Sequence, residues 1–131
     1  MKKTALFNLL CLGVFITACG GNVNQVPTGS DLVELSFDRE QVMADGITMV
    51  TLSAKVYGVR ANVDVLFVTS AGTLDLAKPE NRSIHATTDY NGVARAFLRM
   101  PKATELGTNE NIIVGASAGG FHTWRILLVA R

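Results

Sequence analysis

Residues 48–56 read TMVTLSAKV, and this stretch decides the fold class of the 131-residue chain. In an extended conformation one face carries small and branched apolar side chains: Val50, Leu52, Ala54 and Val56. The other face carries three polar side chains and a methionine: Met49, Thr51, Ser53 and Lys55. A period of two with one apolar face is the pattern of a half-buried β-strand. The stretch therefore predicts a strand that covers a core.

The same alternation continues along the chain on both sides of this strand. It predicts six further strands, near Leu32–Phe37, Val63–Thr69, Ile84–Thr88, Val93–Met100, Asn111–Ser117 and His122–Val129. Turn signals separate them, including Ala44-Asp45-Gly46, Ser70-Ala71-Gly72, Asp89-Tyr90-Asn91-Gly92 and Gly119-Gly120. Asn91-Gly92 is also a hairpin signal, and Lys78–Asn81 predicts one irregular turn. No segment keeps a helical period for three turns, so we expect an all-β, seven-stranded antiparallel immunoglobulin-like sandwich.

Six short pieces of this region occur in an order that resembles a known family. They are Ala44-Asp45-Gly46, Val50–Val56, Val63–Phe67, Ser70–Leu74, Thr88–Ala94 and the pair Val114 and Ala116. In this order they resemble the bacterial Ig-like domain, group 1, of invasins and intimins, over about residues 31–130. The resemblance implies a non-enzymatic adhesion or stalk unit. One departure is the short connection Tyr57–Asn62, which lacks the family's proline.

The N-terminal segment predicts export and lipidation. Lys2 and Lys3 precede an apolar run from Ala5 to Ile16, which is shorter than the roughly 20 residues needed to span a bilayer. The run closes with Ile16-Thr17-Ala18-Cys19, which resembles the lipobox of bacterial lipoproteins. That resemblance implies signal cleavage between Ala18 and Cys19, and a Cys19 carrying an S-diacylglyceryl group and an N-acyl chain such as palmitate. The alternative is an ordinary secretory signal that happens to contain Cys19.

Three regions follow from this prediction: a signal peptide at 1–18, the lipidated Cys19 with a tether at 19–30, and the sandwich at 31–131. Residues 20–30, GGNVNQVPTGS, have the composition of a flexible linker with a mean span of roughly 18 Å. The two residues directly after Cys19 are Gly20 and Gly21, and neither is aspartate. By resemblance to enterobacterial lipoproteins, this favours the outer membrane over the inner one.

Cleavage also changes the charge and the thiol content. The precursor has 12 basic and 11 acidic side chains; without Lys2 and Lys3, 10 basic and 11 acidic groups remain, a net charge of −1. This balance argues against a nucleic-acid partner. Cys11 leaves with the signal and Cys19 is lipidated, so no thiol is left for a disulfide or a metal site.

Residue types that carry chemistry are sparse. His85 and His122 lie in different predicted strands, without H-E-x-x-H spacing, and no serine has a G-x-S-x-G elbow. Glu34, Asp38 and Glu40 are close enough in sequence for acid–base work, but a solvated charged face explains them equally well. Asp89-Tyr90-Asn91-Gly92 resembles a fragment of a calcium loop but lacks the other ligands. We therefore expect no catalytic, cofactor-binding or metal-binding residues and no enzymatic activity.

The last predicted strand is apolar on both faces from Ile126 onward. Either the fold covers it on both sides, which is the commoner case, or one face meets a partner. The chain thus predicts a membrane-anchored binding or adhesion module of the cell envelope that contacts a protein or glycan. The alternative is a structural subunit that docks to a larger envelope or secretion assembly. One sandwich on this tether reaches only on the order of 60–80 Å from the bilayer, which favours a partner close to the membrane.

Overall fold

The stretch TMVTLSAKV forms a strand, and its apolar face is the buried one. In the computed structural model, which describes residues 32–58, 61–108 and 110–130, strand β3 spans Met49–Val56. Val50, Leu52 and Ala54 are completely buried, while the residues between them are partly exposed. The predictions for the signal peptide, Cys19 and the tether lie outside the described residues.

Within the described residues, eight strands form two sheets. Their bounds are β1 Val33–Phe37, β2 Gln41–Met43, β3 Met49–Val56, β4 Asp64–Thr69, β5 Ser83–Thr87, β6 Val93–Arg99, β7 Ile112–Ala118 and β8 Phe121–Ala130. One sheet has the order β1-β3-β6 and the other β2-β8-β7-β4-β5. A 3₁₀ turn at Ala103–Glu105 precedes β7. The predicted all-β immunoglobulin-like sandwich is confirmed. In the described part of the chain, no helix is long and apolar enough to cross a bilayer.

Strand β2 corrects the predicted strand count and adds a parallel pair. After Phe37 the chain leaves the three-stranded sheet, and β2 joins the five-stranded sheet parallel to β8. Where seven strands were expected, the described part of the chain has eight, and one of its pairings, β2 with β8, is parallel. Periodicity does not reveal β2 because a three-residue strand with a single buried side chain, Val42, is too short to display a period.

The core lies between the sheets and consists of the inward side chains of both. Phe67, Leu98 and Val114 are completely buried. The other largest buried side chains are Val33, Leu35, Val50, Leu52, Val65, Met100, Ile112 and Leu127. Alternation of buried and exposed positions along β3, β4, β6 and β7 places one face of each strand on this core.

The two ends of the sandwich carry different connections. The chain enters β1 at Val33 beside Val56, the last residue of β3. This end, called the entry end, also carries the β3–β4, β5–β6 and β7–β8 connections, as the antiparallel registers require. The opposite end, called the far end, carries the connections that flank β2, the β4–β5 and β6–β7 connections, and the end of β8.

The turn at Ala44-Asp45-Gly46 has the conformation that its residues predict. Gly46 has φ +75°, which favours glycine, and the Asp45 carboxylate accepts the backbone N–H groups of Ile47 and Thr48 at 2.8 and 2.7 Å. The Thr48 hydroxyl donates to the same carboxylate at 2.6 Å. These three bonds favour the ionised carboxyl and lower the pKa of Asp45 to about 2.

The Asn91-Gly92 signal produces a turn but not a hairpin. Gly92 has φ +73°, and its N–H donates to the Asp89 carbonyl. However, β5 and β6 belong to different sheets, so this connection crosses the sandwich. The hairpin interpretation was wrong because turn chemistry specifies a local reversal and not which sheet receives the next strand.

Candidate interaction surface

The outward face of β8 is apolar and exposed. Along this strand Leu127 is completely buried, whereas Trp124, Ile126 and Leu128 point to the other side of the sheet and are 57, 61 and 49% exposed. Successive side chains of a strand point to opposite faces, so these three form one row. The row lies on the solvent side of the five-stranded sheet.

The neighbouring strands extend this row. Ile113 of β7 is the register partner of Ile126, and it is 47% exposed on the same face. On the other side, Gln41 of β2 pairs with Leu128, which puts the exposed Met43 on this face as well. We call the set Met43, Ile113, Trp124, Ile126 and Leu128 the apolar face. Its exposed area is on the order of 500 Å², in the range of the largest patch on a typical monomer, which is often functional.

Trp124 lies flat on the sheet because its register partner on β7 is glycine. A Cβ added to Gly115 would fall 2.3, 2.5 and 2.9 Å from three carbons of the six-membered ring of Trp124. Carbon atoms that are not bonded approach to about 3.5–4.0 Å. The ring therefore occupies the space of the missing side chain. Gly115 fixes both the height and the orientation of the indole.

The two interpretations of the apolar last strand differ in what covers its outer side. No described residue covers Ile126 or Leu128 there, so within the described chain β8 is not buried on both faces. The expectation that the fold covers both sides does not hold for this part of the structure. The other alternative, in which one face meets a partner, is consistent with it.

The three carboxylates near the first strand do not converge. Glu34 accepts the Tyr57 hydroxyl at 2.5 Å, a bond that raises the pKa of that phenol. Asp38 accepts the N–H of Thr51 at 3.1 Å, and Glu40 lies 3.5 Å from Arg125. Each carboxylate thus has a separate structural partner, and they do not form an acid–base pair.

The two histidines are exposed and lie apart. His85 Nδ1 is 2.8 Å from the Asp64 carboxylate on the adjacent strand, where both side chains are about two-thirds exposed. His122 is exposed near the start of β8, opposite Ser117. Among the described residues, no three His, Cys, Asp or Glu side chains come together in a way that could hold a metal ion.

The carboxylate of Asp89, the first residue of the calcium-like fragment, makes its hydrogen bonds within its own turn and to Arg95. One carboxylate oxygen accepts the N–H groups of Asn91 and Val93 at 2.9 and 3.1 Å, and the other lies 3.3 Å from Arg95. The backbone donors and this guanidinium lower the pKa of Asp89. The carboxylate shapes the connection between the sheets.

Arg125 is a structural residue that the sequence pattern does not single out. It lies on β8 between the exposed Trp124 and Ile126, but it points to the opposite side and reaches the other sheet. Its guanidinium donates to the Leu35 carbonyl at 3.2 Å and lies 5.4 Å from the centre of the Phe37 ring. The residue links β8 to β1, which no local pattern indicates because Arg125 and Leu35 are 90 positions apart.

Comparison with known proteins supports the fold. No family model and no curated protein matches the chain. Among solved structures, the chain is similar to the D00-D0 domain of intimin, with a TM-score of 0.50 and 24% identity over 79% of this chain and 51% of that one. It is also similar to Spo0M, a sporulation control protein from Bacillus subtilis, with a TM-score of 0.38 and 15% identity over 76% of this chain and 49% of that one. The chain spans about half the length of these structures. The likeness to the intimin domain supports an intimin-like Ig-like fold.

Proposed function

We propose that this chain is a non-enzymatic binding module of the cell envelope, and that it docks a protein partner through the apolar face. The observation that carries the proposal is the continuous exposure of five apolar side chains on β2, β8 and β7. None of the five is charged, and depletion of charge at the centre is the compositional mark of an interface. The likeness to an intimin domain is compatible with a binding or adhesion role.

The size of the apolar face fits a protein partner of ordinary dimensions. A standard interface buries about 800 Å² per partner, with an apolar centre and a polar rim. The apolar face supplies on the order of 500 Å² for the centre. Gln41, Ser117 and His122 lie on the same side of the sheet and provide a polar rim. Trp124 is suited to be the anchor because its ring is held in place before any partner arrives.

Site-specific photocrosslinking in living cells tests this proposal. A crosslinker at Ile126 should give a discrete protein adduct, and the additional substitution Leu128→Ser should abolish it. A crosslinker at Phe97, which is 54% exposed on the three-stranded sheet, is the matched control and should give no adduct. Equal adducts from both positions would show nonspecific contact and would contradict the assignment.

We further propose that lipid on Cys19 anchors the domain, in the outer membrane. Two or more acyl chains give stable anchoring where one is marginal. Replacing Cys19 with Ala should move the protein out of the membrane fraction without changing its circular dichroism spectrum. Retention in the membrane fraction would mean that something other than the lipid holds it. Protease treatment of intact cells then separates a host-facing adhesin, which is digested, from a protein that faces the periplasm.

The alternative role for the apolar face is a permanent contact within a larger envelope or secretion assembly. The two roles differ in lifetime. Extraction in mild detergent followed by size-exclusion chromatography should give a monomer for a transient binding module, and a stable complex for a structural subunit.

A further inference from the structure

A second candidate surface lies at the far end of the sandwich. Here the turn before β3, the β4–β5 connection and the segment after β6 surround an open pocket of about 560 Å³. Three basic residues line it, Arg82, Arg99 and Lys102, together with one acidic residue, Glu105. The pocket is concave because two glycines with positive φ permit close approach. The Lys102 stem packs over Gly46, and Gly72 lies against the Arg99 carbonyl.

The basic groups of this pocket are not neutralised within the described residues. No described carboxylate lies within ion-pair distance of Arg82, Arg99 or Lys102. Arg82 donates to the Ser70 carbonyl, and Glu105 accepts the backbone N–H of Lys102 at 3.0 Å. Three basic residues around one recess, none of them ion-paired with a described carboxylate, favour an anionic group there.

The size of the pocket and the presence of Glu105 narrow the ligand class. A water molecule's share of liquid volume is about 30 Å³, so 560 Å³ far exceeds the space of a bare inorganic anion. Glu105 is only an acceptor when ionised and would oppose a second anion, but it suits a hydroxyl donor. A ligand with one acidic group and several hydroxyls fits both the basic residues and Glu105. We infer that this pocket binds an acidic saccharide, a sugar unit bearing a carboxylate or phosphate group.

The charges around the pocket argue for a small ligand and against an anionic membrane surface. The far-end connections carry seven carboxylates: Asp38, Glu40, Asp45, Asp75, Glu80, Glu105 and Glu110. With Arg99 included, they carry five basic groups: Arg39, Lys78, Arg82, Arg99 and Lys102. A flat anionic bilayer would face this net negative end, whereas a saccharide inside the pocket meets three cations and one carboxylate.

Titration calorimetry on the full chain tests the assignment, with glucuronate and glucose 1-phosphate as acidic probes and glucose and inorganic phosphate as controls. The acidic sugars should bind saturably below about 20 mM, more weakly at high salt. Arg99→Gln and Lys102→Gln should each weaken this binding about tenfold. Lys55→Gln removes the same charge at the entry end and should leave it unchanged. Ile126→Ser should also leave it unchanged, so that this test does not depend on the proposed protein partner.

Four outcomes would overturn the inference. The first is no saturable binding of either acidic sugar. The second is equal binding of glucose, which would mean that the cations do not select the ligand. The third is equal binding of inorganic phosphate, which would mark a site for a bare anion. The fourth is binding only to vesicles that contain phosphatidylglycerol, which would identify a membrane surface.

Discussion

Replacing Gly115 with Ala should displace Trp124 and so disturb the apolar face without touching any of its members. The new Cβ would lie 2.3 Å from the nearest ring carbon, whereas an ordinary contact is about 3.5 Å or more. The ring must therefore move by more than about 1 Å. The new Cβ cannot move aside, because it is bonded to the backbone of β7. Since the clashing atoms belong to a side chain, we expect the indole to lift and the strand pairing to remain.

The magnitude follows from how much of Trp124 is buried. With 57% of the residue exposed, roughly 100 Å² is buried against the sheet, which at about 25 cal/mol per Å² limits the loss to about 2.5 kcal/mol. Exchange of Gly for Ala reduces the entropy of the unfolded chain, which stabilises the folded state by about 0.4–1 kcal/mol. The free energy of unfolding should therefore fall by about 1–2 kcal/mol.

The chain contains a single tryptophan, so fluorescence reports on Trp124 alone. In Gly115→Ala the emission should shift to longer wavelength and acrylamide quenching should increase, because the inner face of the ring becomes hydrated. Urea unfolding followed by circular dichroism measures the stability change. Ser117→Ala, on the same strand and the same face, is the matched control and should alter neither signal.

A double-mutant cycle decides whether the ring–glycine contact is the cause. In a Trp124→Ala background there is no ring to displace, so adding Gly115→Ala should cost nothing or stabilise slightly. If Gly115→Ala lowers the stability equally in both backgrounds, the loss comes from the backbone of β7, and displacement of the ring is refuted as its cause.

Three further predictions concern other parts of the fold. Phe67→Ala, at a completely buried position, should lower the free energy of unfolding by about 3–5 kcal/mol, whereas Phe97→Ala, at a position 54% exposed, should cost much less; urea titration compares the two. Arg125→Ala removes the hydrogen bond to Leu35 and the contact with Phe37, and should cost about 1–2 kcal/mol in the same assay, with Arg125→Lys recovering only part. Asp45 has a pKa of about 2, below the 3.8 of an unperturbed aspartate, so its contribution to stability is complete above pH 3.8 and is lost as the pH falls through 2. The stability difference between wild type and Asp45→Asn should therefore be largest near pH 6 and shrink at pH 2; a difference that stays constant would assign it to another cause.

Period-two patterns were sufficient to locate seven of the eight strands, each within one residue of its observed bounds. The stretch from Thr48 to Val56 shows why. One face of the strand is buried and the other faces solvent, so apolar and polar residues alternate in the sequence. Sheet membership is different, because it depends on pairings between distant segments. The Asn91-Gly92 turn gave no information on whether β6 would join β5 or cross to β3.

The candidate site was only half predictable for a related reason. The sequence indicated that the last strand was apolar on both faces from Ile126 onward, but whether another segment covers its outer face is a tertiary property. The contact between Gly115 and Trp124 was also not predictable from the sequence, because it depends on the register of β7 against β8. Both residues could be read in the sequence, but only the pairing brings them into contact.

An exposed Trp124 has an explanation that requires no partner. Aromatic side chains that cover a strand glycine protect its backbone and stabilise the sheet, so the ring over Gly115 could be structural. That explanation does not extend to Ile126 and Leu128, which have no glycine beneath them and remain about half exposed. The two roles predict different results for crosslinking and for the stability of variants. If the row exists only to protect the sheet, a crosslinker at Ile126 gives no discrete adduct and Gly115→Ala affects stability alone. If it is an interface, the crosslinker at Ile126 gives an adduct that Leu128→Ser abolishes, while Leu128→Ser changes the stability by less than about 1 kcal/mol, as is usual for an exposed position.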